Sequence, residues 1–273
     1  LTKKLSTHTR SYINKAIKDN NVKLNGLINT FPSTKININD KIQINIIEKK
    51  IDKILPYKKK LDIIFEDKDL IIINKPKGMV VHPGAGNYSG TILNGLINKI
   101  DHSQFESNPG IVHRLDKETS GVMIIAKNRE YAQLFTSLFR IRKIHKTYLA
   151  IAYGKVKKDI NLLQDNLITF EKNKKIVQKA IAYLKILKSN EKYSLLELKP
   201  VTGRKHQLRK QLFNIGNPIV GDDKYSARID NKIHKSKTLM LHAYKIKFMI
   251  NNIKYNYEAK YVDEFDQFIK KNF

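Results

Sequence analysis

The chain has 273 residues, with 52 Lys and Arg against 25 Asp and Glu and a formal net charge of +27 at pH 7. This length can bury a full core in one or two domains, and a hydrophobic fraction of 41% puts the sequence outside the disordered regime. The absence of Cys excludes disulfides, Cys-ligated zinc and thiol catalysis and fits a reducing, cytoplasmic setting, while no apolar run reaches the ~18 residues of a membrane span and no secretory leader is visible.

So positive a balance repels itself unless a polyanion is bound. Lys, Ile and Asn are abundant together, which points to codon bias inflating the charge. A twofold excess of basic over acidic residues still goes beyond drift. Nucleic acid is therefore the expected partner; no strongly amphipathic basic helix stands out to favour a membrane.

Residues 1–47 read as a small unit. Ser11 to Ile17 forms a short helix with Tyr12, Ile13, Ala16 and Ile17 on one face. Val22-Lys23-Leu24 is a strand, Asn25-Gly26 a hairpin turn and Leu27-Ile28 the exit. Asn39-Asp40 then turns into the alternating strand Lys41 to Ile46. Residues 48–60, Lys-rich with Pro56 and no periodicity, read as a linker. The chain opens on Leu1 rather than Met, which leaves room for a preceding segment.

From residue 61 to 273 strands dominate, with helices interspersed. Asp62–Glu66 and Leu70–Asn74 are strands around Asp67-Lys68-Asp69, and Thr91 to Ile100 is a helix. Gly121 to Ala126 is an unbroken apolar run, read as a buried strand. A helix carrying Tyr131, Leu134, Phe135, Leu138 and Phe139 enters at Asn128. Lys146–Tyr153 and Tyr193–Leu198 are strands, His206 to Ile215 is a helix ended by Gly216, and residues 246–250 and 253–257 form a hairpin about Asn251-Asn252. Strands do not alternate strictly with helices, so the expected fold is α+β around a mixed, largely antiparallel sheet, preceded by the small α/β module.

Three kinds of segment carry chemistry. His113-Arg114-Leu115-Asp116-Lys117-Glu118-Thr119-Ser120-Gly121 lies between apolar strands as a tight loop. Arg114 and Lys117 would lower the pKa of Asp116 and keep it ionised, which suits a nucleophile. From the residues alone, Asp116 could equally cap the loop. His82, His113 and His206 could be imagined with Asp116 as a zinc set, but none has the i, i+4 spacing of helical ligand pairs, and no metal is expected. Gly84-Ala85-Gly86 lacks the Lys-Ser/Thr of a phosphate loop and reads as a turn.

The nonapeptide resembles the HRLDxxTSG active-site segment of the RluA family of pseudouridine synthases. Asn74-Lys75-Pro76-Lys77-Gly78-Met79-Val80-Val81-His82-Pro83 is similar to that family's first motif. Lys146-Thr147-Tyr148-Leu149-Ala150 is similar to its KxYxA strand. Leu198 to Arg209, followed by Gly216-Asn217-Pro218-Ile219-Val220-Gly221-Asp222, resembles its third. Residues 1–47 resemble the S4 RNA-binding module, incomplete at its opening helix. The resemblance implies a pseudouridine synthase fold and an RNA partner, with neither cofactor nor membrane, in a monomer. It implies that Asp116 attacks the target nucleotide, that Tyr148 stacks on the uracil and that Arg209 pairs with Asp116. Arg114 would enter the space left by the flipped nucleotide. Lys75, His113 and Arg204 join Arg114 as RNA-binding candidates, with Arg10 and Lys15 of the S4-like unit tracking phosphates.

The pairing of an S4-like unit with this catalytic domain is similar to the members acting on large-subunit ribosomal RNA. The run Val81 to Asn87 is most like the RluD type, with the RluC type and a tRNA substrate left open. The alternative is a non-catalytic ribosome-assembly factor that keeps the fold. One departure stands out: Lys210 and Gln211 occupy positions where the family usually has a short apolar residue and His.

Overall fold

A computed structural model of the chain describes residues 10–45, 60–84, 87–100, 110–171, 174–226 and 238–273. The linker expected over 48–60 lies outside them except for Lys60. The chain divides into two compact units, Leu1–Ile54 and Leu55–Phe273.

In the first unit, α1 (Arg10–Lys18) is followed by β1 (Val22–Leu24), β2 (Leu27–Ile28) and β3 (Ile42–Ile44), in the sheet order β2-β1-β3. The apolar face of α1 supplies Ile13, Ala16 and Ile17, which are buried with Val22 against Ile42 and Ile44. Asn25 and Gly26 both have positive φ, 53° and 87°, the backbone that a two-residue hairpin turn requires. The Asn25 amide donates to Asp40 Oδ1 at 2.8 Å and its carbonyl oxygen accepts from the Lys41 N–H at 2.8 Å, which ties the two turns together.

The second unit is built on one nine-stranded sheet. Its strands are β4 (Asp62–Glu66), β5 (Leu70–Lys75), β6 (Ser120–Ala126), β7 (His145–Tyr153), β8 (Leu162–Glu171), β9 (Lys174–Ser189), β10 (Tyr193–Pro200), β11 (Leu241–Ile250) and β12 (Ile253–Glu258). They lie in the order β4-β5-β6-β11-β7-β10-β9-β8, with β12 on β11. The helices are α2 (Ile92–Leu96), α3 (Arg129–Arg140), α4 (Gln207–Asn214) and α5 (Asp263–Asn272). The α+β expectation holds: β6 with β11 is the one parallel pairing among the described strands. The hairpin at Asn251-Asn252 forms as expected, both residues at positive φ.

The unbroken apolar runs of β5 and β6 make sense here, because both are interior. Leu70 to Ile73 and Met123 to Ala126 are fully buried. Three elements differ from expectation. The helix over 91–100 is shorter: Thr91 caps α2 reciprocally with Asn94, and Ile97–Lys99 tightens into a 3₁₀ turn. The β8–β9 hairpin and α5 are further elements, beyond those expected from the sequence pattern. On β9, Ala180, Ala182 and Leu184 face the core while Val177 and Tyr183 face outward, 58% and 57% exposed. Apolar residues on both faces hide the period-2 signal that marks a strand.

One close approach organises the sheet. The first residues of β11 pair with β6 (His242 with Ser120, Ala243 with Gly121), and its remainder pairs with β12. At this fork Gly121 has φ +114°, and a Cβ there would lie 2.2 Å from the Ala243 carbonyl oxygen. Only glycine satisfies both the backbone angle and the space. Gly121→Ala is therefore expected to lose ~3 kcal/mol or more, read by urea unfolding. Gly216→Ala, at φ +82° with nothing within 4 Å, should lose only about 1 kcal/mol.

Candidate active site

The loop ending at Ser120 carries Asp116 and is held at several points by backbone and buried side chains. The Thr119 N–H closes a turn on the Asp116 carbonyl at 3.1 Å, and the Lys117 carbonyl accepts from the Gly78 N–H at 2.9 Å. Leu115 and Thr119 are buried beneath it. At the loop's end the Ser120 hydroxyl lies 2.9 Å from His242 Nδ1. His242 Nε2 faces the Ala259 carbonyl at 3.2 Å, so Nε2 donates and Nδ1 accepts from Ser120.

Two residues expected at the RNA surface turn out to hold this loop instead. Lys75 is fully buried. Its ammonium donates to the carbonyls of Pro76 at 2.8 Å, Met79 at 2.8 Å and Lys117 at 3.0 Å. Burial pushes its pKa down to about 8, against the opposing pull of Glu118 and Asp116. Three protons meeting three carbonyls leave nothing for a phosphate. His113 accepts from the Ile124 N–H at 2.9 Å through Nε2 and packs on Phe139, ring centroids 4.8 Å apart. Burial, aided by Lys146, brings its pKa down to about 3. It lines the cavity as a neutral ring and offers no cation to RNA.

Asp116 opens into a cavity of about 470 Å³ whose wall includes Arg114, Tyr148, Arg204, His206 and Arg209. The structure thus brings together residues from the loop, from β7 and from the start of α4, far apart in the chain. Tyr148 sits on β7 between Ala243 of β11 and Leu198 of β10. Burial first and the charge of Asp116 second raise its phenol pKa well above the ordinary value, so the hydroxyl keeps its proton at neutral pH. Arg204 spans the rim, its Nε donating to the Lys179 carbonyl at 3.2 Å. Lys15 is exposed on α1 of the first unit, and the side chain of Arg10 lies outside the described residues.

Arg209 differs from expectation in its partner. Its guanidinium grips Asp222 with two bonds of 2.7 Å, Nε to Oδ2 and one terminal nitrogen to Oδ1, with a further contact to Asp223 at 3.5 Å. Arg209 and Asp222 are 6% and 1% exposed, and among the described residues no direct pair joins Arg209 to Asp116. The fork matches the carboxylate already beside it on the Gly221-Asp222 turn. Its influence on Asp116 is through space.

The group that does face the carboxylate is His206, not among the expected catalytic residues. Its Nε2 lies 3.7 Å from Asp116 Oδ1 and its Nδ1 lies 2.9 Å from the Tyr225 hydroxyl. Burial pushes the ring's pKa down despite the opposing pull of Asp116. A carboxylate only accepts, so a neutral ring with its proton on Nε2 suits this arrangement, and Nδ1 then accepts from Tyr225. Tyr225 also lies edge-on to His206 and under the Arg209 guanidinium, 5.2 Å from ring to charge. A relay of contacts therefore runs from Asp222 through Arg209, Tyr225 and His206 to Asp116. His206 adopts φ 54°, a left-handed backbone that no sequence pattern announces.

The departure at Gln211 has a structural explanation. Its fully buried amide donates to the Leu163 carbonyl at 3.1 Å and to Asp165 at 3.0 Å, tying α4 to β8. Neighbouring Gln207 accepts from the Thr202 hydroxyl at 2.7 Å and from the Arg204 N–H at 3.1 Å, fixing the turn into α4.

A basic cavity with one carboxylate and a protonated phenol suits an anionic ligand. A family model described as RNA pseudouridylate synthase matches residues 69–214. The "Ribosomal large subunit pseudouridine synthase D" of Borreliella burgdorferi is 36% identical over 240 residues, 83% of this chain and 72% of that protein. The protein of the same description from Buchnera aphidicola subsp. Acyrthosiphon pisum is 36% identical over 259 residues, 89% of this chain and 83% of that protein. The solved structure of human RNA pseudouridylate synthase domain containing 4 is 28% identical and matches with a TM-score of 0.64, over 77% of this chain and 92% of that one. The chain belongs to the RNA pseudouridylate synthase family, and it is an isomerase.

The imidazoles of His113 and His242 predict how the fold responds to acid. His113 and His242, brought down to about 3 and about 4 chiefly by burial, stay neutral when folded but protonate near 6.5 when unfolded. Their contribution is complete above about pH 6.5 and is lost as pH falls toward those folded values, amounting to up to ~2 kcal/mol per ring at pH 5. Urea midpoints should fall between pH 7 and pH 5, and His242→Asn should show a smaller fall.

Proposed function

We propose that the chain isomerises uridines in large-subunit ribosomal RNA and that Asp116 is the carboxylate that attacks the flipped nucleotide. The observation carrying this reading is that Asp116 is half-buried in a cavity walled by Arg114, Arg204, Tyr148 and His206. The substrate is taken from the relatives described as ribosomal large subunit pseudouridine synthase D, and the RluD type is preferred to the RluC type on the same ground.

The N1–C1′ bond of uridine breaks, the base turns within the cavity and C5 joins C1′, after which the C5 proton is released to solvent and N1 carries a proton in its place. The base leaves and returns in one site, with no redox change, so no cofactor is required. A uridine stacked in RNA hides this bond, so the nucleotide must first be extruded. Arg114, exposed on the loop, is placed to fill the gap, and Tyr148 offers the ring on which the uracil rests, worth ~1–3 kcal/mol. Arg209 acts on Asp116 at a distance and through Tyr225 and His206. Arg204 and, on the S4-like unit, Lys15 and Arg10 meet phosphates. This reading includes a single chain working in the cytoplasm, which a Cys-free sequence fits.

Tritium release from [5-³H]uridine-labelled rRNA tests the assignment. Asp116→Ala should reduce release at least about a thousandfold while RNA affinity changes little. Equal release by both proteins would defeat the assignment of Asp116, and no release by the wild type would instead support the non-catalytic assembly factor. Affinity for rRNA should also fall steeply with salt, by about an order of magnitude or more between 50 and 200 mM; a flat response would make the +27 charge a matter of composition alone.

A further inference from the structure

Seven non-glycine residues among those described have clearly positive φ, and five of them are Asn, which tolerates that backbone. The other two, Arg142 and His206, both line the catalytic cavity. Arg142, at φ 59°, belongs to the turn between α3 and β7, where its N–H bonds the Phe139 carbonyl at 3.2 Å. A turn of this kind favours glycine, and a long cationic side chain there is retained against local preference. Its guanidinium is exposed and makes no ion pair or hydrogen bond among the described residues.

Arg142 stands where two depressions meet. The catalytic cavity is one; beside it lies a groove of about 520 Å³, and the two share Arg142, Ile144, Lys146, Pro200 and Val201. The groove is strongly basic: Arg142, Lys146, Lys199, Lys245 and Lys247 line it against Glu197 alone among acidic residues. Lys199 and Lys245 are engaged, with Glu197 at 2.8 Å and with Glu258, which leaves Arg142 and Lys247 as the exposed cations of the groove without an ion pair among the described residues. Tyr183 is 57% exposed and pairs in register with Lys199 across β9 and β10. Cations interleaved with an open aromatic ring are the surface that single-stranded nucleic acid binds, phosphates on the charges and a base on the ring.

We propose that this groove seats the unpaired RNA strand flanking the target uridine, and that Arg142 at the shared rim takes the phosphate beside the flipped nucleotide. The inference rests on the RNA-modifying reading given above and adds the path of the strand. A cation between cavity and groove holds the backbone while the base rotates into the cavity. Glycine would be the easier residue for this turn and could not do so.

The test compares wild type with Arg142→Gly, Arg142→Lys and Tyr183→Ala on an rRNA stem-loop whose target lies in an unpaired segment. Arg142→Gly should raise KM about tenfold, reduce the slope of log Kd against log salt by about one and leave the melting temperature unchanged or higher. Arg142→Lys should keep most of the slope, and Tyr183→Ala should weaken binding several-fold with the slope unchanged. Wild-type KM and slope in Arg142→Gly would overturn the proposal, as would a fall in its melting temperature that accounts for the lost activity. Wild type producing no pseudouridine in rRNA would instead defeat the functional reading, so the two failures are distinguishable.

Discussion

Gly121 touching the Ala243 carbonyl is the contact on which the rest of the second unit depends. It is where β6, the last strand of the β4-β5-β6 half, meets β11, the first strand of the other half. The loop carrying Asp116 ends one residue earlier, and β7 with Tyr148 lies directly across β11. The spacing between carboxylate and phenol is thus set by how closely two backbones approach. A side chain at position 121 would push apart the halves that supply them.

Around that contact, charge is used for construction as much as for binding. Lys75 satisfies three carbonyls, and Arg209 closes a buried fork on Asp222. Loss of either partner of a buried ion pair leaves an uncompensated charge, typically ~3–5 kcal/mol, so the Gly221-Asp222 motif has a reason to accompany Arg209. Anchoring Arg209 elsewhere leaves Asp116 facing a neutral imidazole. A bidentate fork would occupy both oxygens of a carboxylate, whereas one ring N–H leaves the second oxygen open.

Much of this was legible in the sequence, and the exceptions share physical causes. The turns at Asn25-Gly26 and Asn251-Asn252 could be read because left-handed backbone selects a short list of residues. The apolar runs of β5 and β6 could be read because interior strands carry nothing else. The β8–β9 hairpin could not, since its outward face carries Val177, Tyr183 and Leu187 where alternation demands polar side chains. Asp116 and Tyr148 meet in one cavity, as the motif resemblance implied. The fate of Lys75 and His113 was invisible because a motif shows which residue stands at a position but not which way it points. His206 and Arg142 escaped for a related reason: their backbone angles belong to turns that the sequence does not signal.

The buried amine of Lys75 has a consequence for chemistry done on the protein from outside. Acylating reagents require an accessible, unprotonated amine. This one reaches solvent only when the segment holding Met79 and the loop at Lys117 part from it. Its modification rate therefore measures how often that loop opens, as amide exchange measures the opening of a strand. On a surface crowded with reactive lysines, it is a slow clock inside the active-site scaffold.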